Sequence, residues 1–85
     1  MKKTVLITGA SSGLGKASAK LFESQGWNVI AGMRSPEKEE ELKEGETIVL
    51  VKLDVTDSNS IKKAVELGVA KFGTIDVLIN SAGYG

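Results

Sequence analysis

The chain contains no cysteine and no histidine. Without cysteine it can form no disulfide and no thiolate metal site. Without histidine it lacks the commonest general base and the commonest metal ligand. Charge of one sign is missing as well. Eleven basic residues balance eleven acidic ones, which leaves no electrostatic footprint for a nucleic acid or an anionic membrane. No apolar run is long. Met1-Lys2-Lys3 is basic, but the stretch behind it is too short for a signal peptide or a membrane span. A cytoplasmic protein is the expectation. Eighty-five residues allow one small domain at most, and the 41% hydrophobic content suits a globular core.

Glycine is what the chain has in quantity, with ten residues, and the stretch Thr8-Gly9-Ala10-Ser11-Ser12-Gly13-Leu14-Gly15 carries three of them. The apolar run Val5-Leu6-Ile7 leads into this stretch, and an amphipathic helical pattern leads out of it. A glycine-rich turn between a buried strand and a helix start is a place to hold a phosphate. The first N–H groups of a helix have no intrahelical partner and stand at the positive end of its dipole. The glycines differ in purpose. Gly9 can adopt dihedrals closed to other residues. Gly13 leaves a pyrophosphate free to approach, and Gly15 lets the helix pack on the strand. By itself such a loop can also be just a tight turn. A P-loop is excluded, because Ala17 stands where Ser or Thr must bind magnesium and Ala10 where the first glycine must be.

The remaining pattern alternates strands and helices. Lys3 to Ile7 reads as a central strand, apolar on both faces. Leu14, Ala17, Leu21 and Phe22 mark the buried face of a first helix, closed by Gly26. Trp27 to Met33 is a second strand. Ser35-Pro36 opens a short helix over Glu37–Lys43 that stops at Gly45. Its acidic run, Glu39-Glu40-Glu41, reads as a solvated face. Thr47 to Leu53 is a third strand. Thr56 is the expected N-cap of a helix whose buried stripe is Ile61, Ala64, Val65, Gly68, Val69 and Phe72, ended by Gly73. Ile75 to Ile79 is a fourth strand. The order βαβαβαβ with short connections predicts an α/β fold with a partial parallel sheet in the order 3-2-1-4. Helices lie on both faces, as in a three-layer Rossmann-type sandwich. There is no internal repeat or linker.

Three strand ends on one edge of this sheet carry suitable chemistry for a dinucleotide. Past the second strand stand Met33 and Arg34, where NAD-selective folds place an acid for the ribose 2′-hydroxyl. An arginine suits a 2′-phosphate, although an ordinary exposed arginine would look the same. Asp54 follows the third strand and could accept from the exocyclic amine of adenine, with the N–H of Val55 donating to the ring. The plainer reading is a turn aspartate. Asn80, Ala82 and Gly83 follow the fourth strand, and the small residues leave room for a sugar.

Together these segments resemble the N-terminal, cofactor-binding part of the short-chain dehydrogenases/reductases. Thr8 to Gly15 matches that family's glycine motif and Leu53-Asp54-Val55-Thr56-Asp57 its adenine-contacting segment. Asn80-Ser81-Ala82-Gly83 is similar to its Asn-Asn-Ala-Gly motif, with Ser81 in place of the second asparagine. The resemblance covers the whole chain, as one NAD(P)-binding Rossmann domain over residues 1–85. It implies NAD(P)-dependent oxidation of alcohols or reduction of carbonyls. Gly9, Ser11, Ser12, Gly13 and Leu14 would line the phosphates and ribose. Arg34 marks NADP-preferring members, so NADP is expected rather than NAD. Asp54 and Val55 would hold the adenine, and Asn80, Ala82 and Gly83 the adenosine ribose. The family's catalytic serine and Tyr-x-x-x-Lys pair have no counterpart here. The only tyrosine, Tyr84, is followed by Gly85 alone. No catalytic or metal-binding residue is assigned. Three readings stay open: part of a full oxidoreductase, a non-catalytic dinucleotide-binding module, and an interaction protein. The partner is a nicotinamide dinucleotide, with no nucleic acid and no membrane. Self-association is expected through the fourth-strand edge or an uncovered sheet face.

Overall fold

The computed structural model describes residues 2–11 and 13–81. Ser12, Ala82 and Gly83, expected at the cofactor, lie outside the described residues. The elements run β1 (Thr4–Thr8), α1 (Gly13–Ser24), β2 (Asn28–Met33), a 3-10 turn (Pro36–Lys38), β3 (Ile48–Lys52), α2 (Ser58–Phe72) and β4 (Val77–Asn80). The strands form one sheet in the order β3-β2-β1-β4, parallel throughout. All four carboxyl ends therefore lie on one edge. Every residue of β1 is buried, which is why its apolar run does not alternate.

The side chains of β1 and β2 divide between two cores. Val5, Ile7, Val29, Ala31 and Met33 face α1, where Ala19 and Leu42 join them. Leu6 and Ile30 face α2, with Val51, Leu53 and Ala64. Phe22 closes the first core edge-on against Trp27, with ring centroids 4.9 Å apart. Burying each of the larger side chains stabilises the fold by about 1.5–3 kcal/mol. α1 and α2 thus cover opposite faces of the sheet, giving the three layers.

The expected face of α1 is corrected. Gly15 and Ala19 are the buried residues and Phe22 packs half-buried against the core, whereas Ala17 is exposed and Leu14 and Leu21 are 77% and 56% exposed. The helix turns its smallest side chains to the sheet because its axis lies too close for leucine. The helix expected over Glu37–Lys43 is also corrected. Only Pro36–Lys38 is helical, as one 3-10 turn, and Ser35 makes no side-chain cap bond. Beyond it Glu39 is extended, and its carboxylate takes the N–H groups of Glu41 and Leu42, both at 2.9 Å. Those two N–H groups would otherwise have continued the helix. Leu42 is buried in the α1-side core, so this segment covers the same face of the sheet as α1 without being a helix.

The N-cap of α2 is Asp57, whose side chain accepts from the N–H of Asn59, and not Thr56. The Thr56 hydroxyl donates instead to Asp54, at 2.7 Å. Ala64 and Gly68 are the buried positions of α2. Val65 and Phe72 are half-buried against the same core, while Ile61 and Val69 remain exposed. Gly73 ends α2 in the left-handed conformation, and its N–H reaches the Val69 carbonyl at 2.7 Å.

Candidate nucleotide site

A cleft of about 770 Å³ opens over the carboxyl edge of the sheet, within the size range of small-molecule sites. Its floor is the glycine loop. Gly9 and Gly13 have φ of +67° and +57°, a region closed to most side chains. The loop is held from both sides. The N–H of Ala10 reaches the Gly32 carbonyl on β2 at 2.9 Å. From the β4 side, the N–H of Ser81 reaches the Thr8 carbonyl at 3.3 Å. The Ser81 hydroxyl donates to the same carbonyl and lies 3.4 Å from that of Gly9. A Cβ on Gly15 would overlap the Gly9 carbonyl and press on the Ser81 hydroxyl. A Cβ on Gly13 would meet no described atom within 4 Å. The space beside Gly13 is open for a ligand.

Of the residues expected at the cofactor, Gly9, Ser11, Gly13, Leu14, Arg34 and Val55 line this cleft. They come from three different strand ends. Arg34 is exposed at the end of β2, with Met33 and Ser35 beside it in the wall. Asp54 lies between the lining residues Leu53 and Val55, but its Oδ1 is occupied by the hydroxyl and the N–H of Thr56 at 2.7 and 2.9 Å. These two bonds hold its carboxyl below the ordinary 3.8, with smaller help from Arg34 and Lys52. Asn80 accepts from the Thr8 hydroxyl at 2.7 Å and so braces the end of β4 on β1.

Lining residues given no part at the cofactor by the sequence alone include Lys16, Lys38, Glu39 and Ser81. From the sequence, Glu39 reads only as part of a solvated run. In the fold, Lys16 meets Glu39 at 3.1 Å and Glu41 at 3.4 Å, while Lys20 meets Glu41 at 2.7 Å. A lysine four residues from another on one helix, opposite a cluster of acids, was the available signal. The hydrogen bond to Glu39 raises the pKa of Lys16 above its usual 10.5. Burial pushes Glu39 up, but the N–H of Leu42, Lys16 and the N–H of Glu41 outweigh it and bring it below 4.5. Lys20, then Lys16, lowers Glu41.

Among the described residues no group of His, Cys, Asp and Glu is arranged to hold a metal ion, and no helix is long and apolar enough to cross a membrane. What the cleft offers is a main-chain cradle at a helix start, an apolar slot by Leu53 and Val55, and a guanidinium at its rim. That donor set fits the pyrophosphate, adenine and ribose of a dinucleotide.

Comparisons with known proteins agree. The chain is 46% identical over 82 residues to an uncharacterized oxidoreductase of Schizosaccharomyces pombe, covering 96% of this chain and 27% of that protein. Its fold matches a 3-ketoacyl-(acyl-carrier-protein) reductase from Brucella melitensis, solved with NADH. The TM-score there is 0.82 at 35% identity, over 89% of this chain and 32% of the other. It also matches a tyrosine-to-phenylalanine variant of ElxO with NADPH bound, with a TM-score of 0.82 at 38% identity, over 95% and 35% of the two chains. The chain thus spans about a third of the length of these proteins. Residues 3–85 match the family model for short chain dehydrogenase, and the chain belongs to that family.

Proposed function

We propose that this chain binds the adenosine and pyrophosphate part of a nicotinamide dinucleotide, with NADPH preferred to NADH, and serves an oxidoreductase acting on an alcohol or carbonyl. One observation carries the preference. Arg34 stands at the end of β2 on the cleft wall, where a carboxylate would be needed to select the free 2′-hydroxyl. Of the acids deeper in the loop, Glu39 is engaged by two N–H groups and Lys16, and Glu41 by both lysines, while Glu40 lies exposed in the lining. Family relatives have been solved with either cofactor, so the choice rests on such local residues.

In this reading Gly13 and Leu14 offer main-chain N–H groups to the pyrophosphate, and Leu53 and Val55 flank the adenine. Arg34 places its planar fork on the 2′-phosphate. Bound there, the nicotinamide would give a hydride to a carbonyl or take one from an alcohol. The residues that move the proton in this family have no counterpart in this sequence, so the 85 residues alone turn over no substrate. The apolar edge at β4 favours self-association of the isolated chain.

Fluorescence titration with NADPH and NADH tests the preference. NADPH should bind more tightly by roughly ten- to a hundredfold, and Arg34→Ala should remove most of the gap. Equal affinities in the unmodified chain would refute the reading.

A further inference from the structure

The loop that follows Arg34 has almost no regular structure, yet it forms one wall of the cleft. Charge holds it there. The Glu39 side chain is 2% exposed, an uncommon place for a carboxylate, and costly unless every oxygen is compensated. Compensation converges on Oε2, which accepts from the N–H of Glu41 and of Leu42 at 2.9 Å each and meets Lys16 Nζ at 3.1 Å. Lys16 is the residue after Gly15, in the first turn of α1. Leu42, immediately beyond, is buried in the core beneath α1. Lys16–Glu39 is the buried one of three ion pairs, with Lys16–Glu41 and Lys20–Glu41 at the exposed Glu41, that tie the helix beginning at the glycine loop to the segment that carries Arg34 and Lys38.

We propose that Lys16 and Glu39 are a positioning pair that sets the cofactor selectivity of the cleft. The pair anchors residues 35–42 against the first turn of α1. It thereby fixes where Arg34 and Lys38, both in the cleft wall, stand relative to a 2′-phosphate on a ligand seated over the glycine loop. This rests on the NADPH reading above. Lys16 also lines the cleft, so it could instead meet the phosphate itself. The two roles have opposite signatures. Neutralising Glu39 would release Lys16 toward a phosphate if Lys16 were a ligand, and would loosen the wall if it is an anchor.

The test compares the unmodified chain with Glu39→Gln, Lys16→Met, Lys16→Arg and Lys20→Met. Affinities for NADPH and NADH are measured on each sample. Their ratio is insensitive to a partly unfolded fraction, which scales both alike. Amide exchange at Glu41 and Leu42 is followed without ligand. Glu39→Gln and Lys16→Met should each reduce the NADPH-to-NADH preference by roughly three- to tenfold and speed exchange at Leu42 by about tenfold. Lys16→Arg should retain both properties, and Lys20→Met should leave the preference within about twofold. A rise in preference in Glu39→Gln would make Lys16 a direct ligand and overturn the proposal. Unchanged preference in both neutralising variants would overturn it too, with the NADPH reading left standing. An unmodified chain without any preference would refute the NADPH reading itself, and with it the selectivity assigned to this pair.

Discussion

Gly15 lies against the carbonyl of Gly9 so closely that any Cβ at position 15 would overlap that backbone oxygen. The contact joins the first turn of α1 to the exit of β1, and it determines the depth at which the glycine loop sits. Backbone cannot rotate away as the end of a side chain can. Gly15→Ala should therefore force α1 or the loop to shift and destabilise the chain by about 1–3 kcal/mol. Urea unfolding monitors the loss, and cofactor affinity should fall with it. Gly68→Ala is the informative contrast. Its Cβ would press chiefly on Cδ1 of Ile30, a methyl that can turn, and alanine gains about 1 kcal/mol of helix propensity over glycine. The two effects nearly cancel, so stability should change by about 1 kcal/mol or less.

In the proposed reading Gly13 answers to the ligand rather than to the protein. No described atom lies within 4 Å of a Cβ built there, but its φ of +57° strains a β-branched residue. Gly13→Val should weaken dinucleotide binding by more than tenfold, an estimate from the loss of close main-chain approach. Calorimetric titration against both nicotinamide cofactors checks it. Unchanged affinity with the fold intact would remove this loop as the pyrophosphate seat.

The loop anchor should be pH-dependent in a defined direction. Glu39 is held below its ordinary 4.5, so its contribution is complete above the usual carboxylate range and disappears as pH falls through its lowered value. Lys16 is raised above 10.5. Its share is present below that value and is lost only in strong base. Asp54 behaves like Glu39, being lowered from 3.8 mainly by the Thr56 hydroxyl. Carboxyl carbon resonances should titrate below 4.5 for Glu39 and below 3.8 for Asp54. Thr56→Val should bring Asp54 back toward its ordinary value while leaving Glu39 unmoved.

The order of strands was legible because it follows from a few strong local signals. Val5-Leu6-Ile7 admits only a strand buried on both faces, and Gly9 to Gly15 admits a turn and a helix start. Alternation and handedness then lead to 3-2-1-4. What escaped depends on distances across space. Leu14 and Leu21 have the right spacing for a core face, but the Gly15–Gly9 contact brings the helix too close for them, and Ala19 takes their place. The acidic run at Glu39 has the composition of a solvated surface. Its burial depends on Lys16, twenty-three positions earlier and adjacent only after β2 has paired with β1. Thr56 and Asp57 are both good caps, and Asp54 decided between them by claiming the threonine hydroxyl.

The last prediction concerns β4. It pairs with β1 on one side only, as the end of the sheet in the order β3-β2-β1-β4. The main contacts of α1 are with β1 and β2, and those of α2 with β1, β2 and β3, so the layers lean away from this edge. Leu78 is 62% exposed and Val77 37%, and the strand, Val77-Leu78-Ile79-Asn80, carries no lysine and no proline to discourage pairing. An apolar open edge is unfavourable in water and is relieved when two copies place these strands side by side across a two-fold axis. The isolated 85-residue chain should show concentration-dependent dimers in sedimentation velocity. Leu78→Lys should weaken the association by at least roughly tenfold, since it puts a charge on the contact itself. Glu37→Lys, on the exposed 3-10 turn away from the edge, adds the same side chain and should have little effect. A folded monomer at high concentration, with β4 amides fully protected from exchange, would show that the edge needs no second copy.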